Sequence, residues 1–390
     1  MKFKENSWDI TGEIIENIIQ LRRTFHKFPE LGFQEIKTSE LIKTLLKNYG
    51  IENVLNIGDT GIVAVIEGDI PGNTILLRAD IDGLPIFEET GLSFSSENKN
   101  MHACGHDGHI SILLGVARIL ANNQKHIKGK ILLVFQPAEE IIQGARKMIE
   151  SDFFKNTHID RVLSLHIWNQ IELGQIAVNP GIVFASADSF KVKIFGVGGH
   201  GALPEATKDP IVIASSIILN SQTIISRNIS PNKMGVLTFG KFNGGSAPNI
   251  IPEQVILEGT IRSYDENTRN TIIERLENLI NHTSESFGVK SQFEIISATP
   301  AVINDSSWAE NVRSFAANVV GEGKVINAEP ISVGDDMSEF MKLAPGCYIL
   351  IGAKKEGVGP HHNPKFDFKE DSLGVGLKVM VEVTRSFMNF

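Results

Sequence analysis

The densest cluster of chemically active side chains in the chain lies between His102 and His109. Its sequence, HACGHDGH, puts three imidazoles, a thiol and a carboxylate within eight positions and leads into a predicted helix. Imidazole and thiolate are preferred ligands of zinc and similar ions, and glycines let a short loop bend around an ion. The run predicts a metal site, although a nucleophilic Cys104 paired with a histidine of the same loop would also fit this pattern.

A pair of acids follows a strongly apolar segment. The chain reads FQPAEE from Phe135, so Glu139 and Glu140 stand side by side directly after a strand predicted at 130–135. Paired glutamates on a loop are commonly only solvated. Their position gives them more weight, because ligands in open α/β sheets bind beyond the carboxyl ends of the strands.

Three other predicted strands are also followed by polar side chains that can bind metal. They are Asp80 and Asp82 after the strand at 74–77, His166 after the strand at 162–165, and the sequence HHNP, 361–364, after the strand at 347–351. Each alone could be a turn cap, a core histidine or a surface loop. Together, two histidines, a carboxylate and a thiolate or third histidine can hold a metal pair and leave an adjacent carboxylate as general base.

The elements that must position these side chains follow two patterns. Apolar residues at helical spacing predict helices at 9–23 and 38–48. Short apolar runs then alternate with helical stretches as far as residue 165, and this alternation resumes after residue 299. Such a βαβ rhythm predicts a mostly parallel sheet covered by helices.

The middle of the chain has its own order of elements. From residue 186 to residue 296 the pattern predicts strand, helix, two strands, helix and strand, which is the ferredoxin-like βαββαβ order. A chain of 390 residues also exceeds one comfortable hydrophobic core. We therefore predict an α/β protein with a split catalytic domain, 1–185 and 298–390, whose mixed, mostly parallel sheet is flanked by helices, and an inserted ferredoxin-like domain, 186–297.

Composition and charge exclude several classes of function. The net charge of −9 leaves no basic face for nucleic acid or anionic lipid. No apolar run is long enough to span a membrane, and the acids and amides of segment 1–20 argue against a signal peptide. Two cysteines far apart in the sequence, Cys104 and Cys347, offer no disulfide framework. We expect a soluble cytoplasmic protein with no nucleic-acid or membrane partner.

The motifs resemble those of the M20 metallopeptidase family. More narrowly, they resemble its branch of aminoacylases, hippurate hydrolases and indoleacetyl-amino-acid hydrolases. The likeness runs through essentially the whole chain in the family's order, and the pair HACGHDGH and QPAEE is highly specific. The segments that carry it are RRTFHKFPELGFQEIKTS (22–39), RADIDGLP (78–85), HACGHDGH, FQPAEE, VGGHGALPE and PNIIPEQVILEGTIR.

This resemblance implies a site with two divalent metal ions per subunit, whose identity the sequence leaves open among Zn, Mn, Co and Ni. The implied ligands are Cys104, His106, Glu140, His166 and His362. It also implies that the Cys104 thiolate bridges the two ions, which rules out a nucleophilic role. Glu139 is then the general base, and Asp80 and Asp82 are supporting residues.

The resemblance assigns further roles to the inserted domain. It is similar to the family's lid and dimerisation domain, which implies a homodimer in which His200 reaches the substrate, within its own subunit or across the interface. Asn249 and Arg262 resemble residues that grip the substrate carboxylate. His200 and a metal ion would stabilise the oxyanion formed when activated water attacks the amide carbonyl.

The implied function is hydrolysis of the amide bond of small N-acyl amino acids, hippurate-like or N-acetylated, to a carboxylic acid and a free amino acid. Alternative hypotheses are an N-acetyl-diaminopimelate deacetylase, a dipeptidase or aminopeptidase of the same scaffold, and a binding protein that has lost catalysis. An unbroken ligand set together with Glu139 argues against the last of these.

The sequence departs from the branch at three places. Gln143 stands where glycine is common after QPAEE, GDDM at 334–337 replaces an SEDF-like segment, and His361 stands where leucine is common. We expect segment 334–340 to lie near the acyl pocket, so these differences bear on substrate preference and leave the metal site intact.

Overall fold

The structure, a computed structural model, describes residues 8–389. Residues 1–7, part of the segment that argues against a signal peptide, and residue 390 lie outside the described residues. The chain forms two compact units. Among the described residues, the first contains 8–183, 303–329 and 336–389, and the second contains 184–302 and 330–335. The domain boundaries predicted from the sequence, with an insertion at 186–297, stay a prediction.

Strands and helices alternate along the chain. The strands are β1 Val54–Asn56, β2 Ile62–Glu67, β3 Ile70–Asp80, β4 Lys128–Gln136, β5 Arg161–Trp168, β6 Ile176–Ala177, β7 Gly181–Phe184, β8 Ala187–Phe195, β9 Gly199–His200, β10 Gly235–Gly244, β11 Ile250–Ile251, β12 Gln254–Ser263, β13 Lys290–Thr299, β14 Val302–Asn304, β15 Val325–Ile326 and β16 Gly346–Gly352. The helices are α1 Gly12–His26, α2 Ile36–Asn48, α3 His106–Asn122, α4 Gly144–Ile149, α5 Asp152–Lys155, α6 Pro210–Asn228, α7 Glu266–Ser286, α8 Ser306–Val320, α9 Met337–Phe340 and α10 Asp371–Met388.

The first unit is built on an eight-stranded sheet in the order β1-β2-β4-β3-β5-β16-β6-β15. Its central strands β4, β3, β5 and β16 run parallel. Strand β4 reads KGKILLVFQ, and its consecutive residues from Ile131 onwards are buried, as expected for a parallel strand covered on both faces. This confirms the predicted mixed, mostly parallel sheet with helices packed against it.

Helix α3 links the HACGHDGH motif to the core of the first unit. Gly105, directly before the helix, has φ 88°, a left-handed conformation that glycine adopts without steric cost. Further along, a Cβ added to Gly115 would lie 2.8 Å from Ile18 of α1 and 3.1 Å from Leu377 of α10. The three helices therefore pack closely. Because α3 is buried between α1 and α10, its first turn, which carries His106, is held in place.

The second unit contains the four-stranded antiparallel sheet β10-β12-β8-β13. Helices α6 and α7 pack on it, and their apolar residues such as Ile213 and Ile272 share one buried cluster with Phe190 and Leu257 of the sheet. The chain order β8, α6, β10, β12, α7, β13 is the predicted βαββαβ order. A small ladder of β9 and β11 is added to it. Among residues 8–389, no helix has the length and apolar character needed to cross a membrane.

Candidate metal centre

The carboxyl ends of four parallel strands meet at one edge of the first unit's sheet. Asp80 is the last residue of β3, the FQPAEE turn follows β4, and the loop with His362 follows β16. His166 lies within β5 and not after it as predicted, because β5 continues to Trp168, which pairs with Gly352 of β16. Neighbouring parallel strands end on the same side of the sheet. Side chains that are far apart in the sequence therefore converge at this edge.

Cys104 belongs to two groups of metal-competent atoms. One group is Cys104, His106 and His166, and the other is Cys104, Glu140 and His362; the candidate ligand atoms of each group lie within 4.8 Å of one another. The Cys104 Sγ lies 3.5 Å from His166 Nε2. The structure thus brings together the five candidate ligands that the family resemblance implies. A thiolate common to both groups has the position expected of a bridging ligand.

His106 is oriented by its second ring nitrogen. Its Nδ1 donates to the backbone oxygen of Asp82 at 2.9 Å, and this bond turns Nε2 toward the acidic residues. That Nε2 lies 3.8 Å from Glu139 Oε2 and 3.9 Å from Glu140 Oε1. Burial opposes protonation of His106, but Asp80 and the neighbouring carboxylates raise its pKa to about 10 when no cation is present.

Two buried atoms in this cluster lack an ordinary partner. Within the described part of the chain, His106 Nε2 and Glu140 Oε1 have no hydrogen-bond partner. A buried polar atom left unsatisfied costs about 1–3 kcal/mol. Divalent cations bound at these two atoms would satisfy both and balance the surrounding acids. The residues present therefore fit a metal centre with sulfur, imidazole and carboxylate ligands.

The turn after β4 gives the two adjacent glutamates different neighbours. Ala138 has φ 52°, and its N–H donates to the buried carboxylate of Glu35 at 2.8 Å. The N–H of Glu140 donates to Asp82 Oδ2 at 3.0 Å, so the same aspartate fixes His106 and Glu140. Glu139 is buried beside His106 Nε2, and Glu140 Oε2 lies 3.3 Å from His362 Nε2.

His109, the last imidazole of the HACGHDGH motif, has a structural role. Its Nδ1 donates to Asp80 Oδ1 at 2.6 Å, and its Nε2 accepts the N–H of Ile167 at 2.9 Å. Both ring nitrogens are used, so His109 joins the ends of β3 and β5. Asp80 also accepts from buried Arg78 at 2.8 Å, so its two oxygens bond Arg78 and His109.

A buried ion network behind α3 was not anticipated from the sequence. Arg22 of α1 is 1% exposed, and it donates to Asp107 Oδ2 at 2.9 Å and to Asp367 Oδ1 at 3.0 Å. His26 donates to the same Asp107 oxygen at 2.8 Å. Asp107 follows the candidate ligand His106, so the network fixes the first turn of α3. The RRTFH segment belonged to the family resemblance, but the partners of Arg22 and His26 lie 62 to 348 residues away in the sequence.

Removing the buried cation of this network is expected to destabilise the protein. Arg22→Met should lower the free energy of unfolding by about 3–5 kcal/mol, because Asp107 and Asp367 would stay buried without it. Arg23→Met is the matched control: Arg23 is 37% exposed, and its pairing with Glu370 should contribute about 1 kcal/mol or less. Urea unfolding of both variants measures the difference, and equal effects would contradict the account.

The predicted substrate residues all lie in the second unit. His200 is exposed on β9, and its Nδ1 accepts the N–H of Ala202 at 3.1 Å. Asn249 is close by, since its backbone oxygen accepts the N–H of Gly201 at 2.8 Å. Arg262 lies on β12, where it is partly buried. The structure therefore joins His200 and Asn249 in one small loop region and places Arg262 on the adjoining sheet.

Two of the three departures from the family pattern have clear contacts. Asp336 is buried; it accepts from Gln136 Nε2 at 2.6 Å and from the N–H of Ala145 at 2.9 Å. It thus anchors the end of β4 and the start of α4 around the glutamate turn. His361 donates to the backbone oxygen of Ile167 at 3.0 Å. The expected position of segment 334–340 near an acyl pocket stays a prediction.

Comparison with known proteins places this site in a family. Residues 76–386 match the model of Peptidase family M20/M25/M40. N-acetyl-L-cysteine deacetylase of Bacillus subtilis is 40% identical over 96% of this chain and 89% of that protein, and N-acetyldiaminopimelate deacetylase of the same organism is 38% identical over 94% and 97%. The solved structure of the Bacillus subtilis YXEP protein, a dinuclear metal binding peptidase, has TM-score 0.82 and 30% identity over 97% of this chain and 99% of that one. This chain belongs to peptidase family M20/M25/M40.

Proposed function

We propose that this protein is a metal-dependent amidohydrolase that hydrolyses small N-acyl amino acids to a carboxylic acid and a free amino acid. The observation that carries this proposal is Cys104, shared by two groups of ligand atoms beside the buried carboxylate of Glu139. The names of the related deacetylases favour an N-acyl amino acid substrate.

The chain's residues divide the work of hydrolysis. Cys104, His106 and His166 would hold one ion, and Cys104, Glu140 and His362 the other. Bound divalent ions act as Lewis acids toward a carbonyl oxygen and lower the pKa of water.

Glu139 adjoins both ligand groups without being needed in either. Its carboxylate removes a proton from the attacking water and returns it to the amine nitrogen as the amide C–N bond breaks.

A panel of substrates tests the activity and separates the alternatives. We expect release of free amino acid from hippurate and N-acetyl amino acids, with little hydrolysis of unacylated dipeptides. A strong preference for N-acetyl-diaminopimelate would support the second candidate, which the 38% identity to such a deacetylase favours. Hydrolysis of dipeptides alone would contradict the proposal and indicate a peptidase of the same scaffold.

We also propose a homodimer formed through the second unit. Strand β10 is an edge of its sheet and is ten residues long, with exposed Val236 and Phe242. Helix α6 exposes 73% of Leu219. A long exposed edge strand with apolar side chains is a template for pairing with another chain. Light scattering at micromolar concentration should give the mass of a dimer, and a fully active monomer would contradict this.

His200 is proposed to stabilise the oxyanion that develops on the substrate. His200→Ala is then expected to lower kcat by about 10²- to 10³-fold with little change in KM, because the lost interaction acts mainly in the transition state. Metal content should not change, since His200 belongs to the second unit. Steady-state kinetics with metal analysis measures both, and a rate near that of the wild type would exclude this role.

Mixed dimers show which subunit His200 serves. His200→Ala protein mixed with inactive Glu139→Gln protein should regain activity if His200 acts across the dimer, because one site then combines an intact Glu139 with an intact His200. Failure to regain activity after verified subunit exchange indicates that His200 serves its own subunit.

We propose that Asn249 and Arg262 bind the substrate carboxylate, and Asn249→Ala and Arg262→Ala should therefore raise KM.

A cytoplasmic location is proposed from the thiol chemistry. The two cysteines, both within the described residues, are buried and form no disulfide. A metal-binding Cys104 must stay reduced, which a reducing compartment favours. Cell fractionation tests the location, and enrichment outside the cytoplasm would contradict it.

The identity of the metal is left open, because zinc, manganese, cobalt and nickel all suit a mixed thiolate, imidazole and carboxylate site.

A further inference from the structure

The backbone N–H and carbonyl of Ile167, near the end of β5, form hydrogen bonds with three imidazoles. Its N–H donates to His109 Nε2 at 2.9 Å. Its carbonyl oxygen accepts from His166 Nδ1 at 2.7 Å and from His361 Nε2 at 3.0 Å. Because a carbonyl oxygen can only accept, both of these nitrogens carry a proton. The Ile167 carbonyl therefore orients the ring of His166, which is a candidate ligand. The same carbonyl binds His361, which directly precedes the candidate ligand His362.

Aromatic packing keeps the His361 ring in place. The ring stacks on Trp168 with centroids 4.4 Å apart and planes at 23°, and it lies 4.8 Å from the ring of Phe366. These contacts aim Nε2 at Ile167 and limit rotation of the side chain. The ring is therefore a rigid connection between the loop after β16 and the end of β5.

His362 needs such a connection more than the other candidate ligands. Its side chain is 53% exposed, whereas those of His106 and His166 are buried, so packing does little to fix its ring. Its backbone has φ 63°, which is uncommon for a residue other than glycine. The loop is attached at two points, His362 N–H to the Ala103 oxygen at 2.8 Å and the His361 ring to Ile167.

Each attachment joins His362 to the neighbour of another candidate ligand. Ala103 precedes Cys104, and Ile167 follows His166. We propose that His361 is a positioning residue that sets the affinity of the metal ion held by Cys104, Glu140 and His362. The inference rests on the proposed function, because it assumes that the cluster binds two ions.

The substitution His361→Leu tests this role with little risk to folding. Leucine suits the apolar contacts with Trp168 and Phe366, but it cannot donate to Ile167. His361→Gln keeps a side-chain N–H that can donate to the same oxygen. His158→Leu is the matched control, because His158 is 84% exposed and pairs with Asp160 before the start of β5.

Metal retention is measured by elemental analysis after equilibration with increasing concentrations of a competing chelator. Wild type and His158→Leu should retain two ions per chain. His361→Leu should release one of its two ions at about 10- to 100-fold lower chelator concentration, the range typical for loss of a residue that orients a ligand. The second ion should be retained as in wild type, and His361→Gln should recover part of the lost affinity.

Three results would overturn the inference, and they are distinguishable. Release of both ions from His361→Leu at the wild-type chelator concentration shows that His361 does not set affinity. Equal weakening of both ions, with a lower melting temperature of the metal-free variant, shows a general structural role. Fewer than two ions in the wild type itself refutes the proposed two-metal function and, with it, the basis of this inference.

Discussion

Cys104→Ala should lose bound metal and hydrolytic activity together. The Sγ of Cys104 is the one atom common to both groups of candidate ligands, so its removal takes a ligand from each ion. The replacement also removes the negative charge that a thiolate contributes among the imidazoles of His106 and His166. The loss of activity should therefore be nearly complete, and added metal at moderate concentration should restore little of it.

The second cysteine provides a control for Cys104→Ala. Cys347 lies in β16 and is also fully buried, but it is outside the ligand groups. Cys347→Ala should retain two ions and activity, with at most a modest loss of stability from the small cavity. Elemental analysis and kinetics on the two variants give the comparison. Full metal occupancy in Cys104→Ala would refute its assignment as bridging ligand.

Glu139→Gln should keep both metal ions and lose most of its turnover. The amide has nearly the shape of the carboxylate but cannot accept a proton from water, so kcat is expected to fall by about 10²- to 10⁴-fold. KM should change little, because the variant alters a proton transfer and leaves the substrate contacts in place. Unchanged kcat would exclude Glu139 as general base.

The adjacent residue supplies the matched control. Glu140→Gln has the same chemical change one position along, but Glu140 lies 3.3 Å from His362 Nε2 in a ligand group. It should lose metal affinity as well as activity, and high metal concentration should restore part of its activity. The opposite pattern, metal loss in Glu139→Gln and retention in Glu140→Gln, would exchange the roles of the two glutamates.

The sequence predicts those features that depend on local pattern or on a general rule of sheets. The alternation of apolar runs and helices gives the parallel strands, and their shared direction brings Asp80, Glu140, His166 and His362 to one edge. Likewise, the order of elements from β8 to β13 predicts the βαββαβ arrangement of the second unit, because each element carries its own periodicity.

Contacts between distant residues could not be predicted in this way. No local pattern joins Arg22 to Asp107 and Asp367, since a buried arginine is stable only where packing brings carboxylates to it. By residue type alone His106 and His109 are equally good candidate ligands, and only the family resemblance selected His106. The contacts of His109 with Asp80 and Ile167 depend on the fold and have no local signal in the sequence. His361 was recognisable as a departure from the family pattern, but its bond to Ile167 spans 194 positions.

Removal and return of metal is the most direct test of the central claim, that two bound ions and Glu139 carry out the hydrolysis. Protein stripped with a strong chelator should lose hydrolysis of N-acyl amino acids. Titration with Zn, Mn, Co or Ni should restore it, with the recovered rate reaching its plateau at two ions per chain. Hydrolysis that persists in fully metal-free protein would contradict the account and indicate a cysteine-dependent amidase.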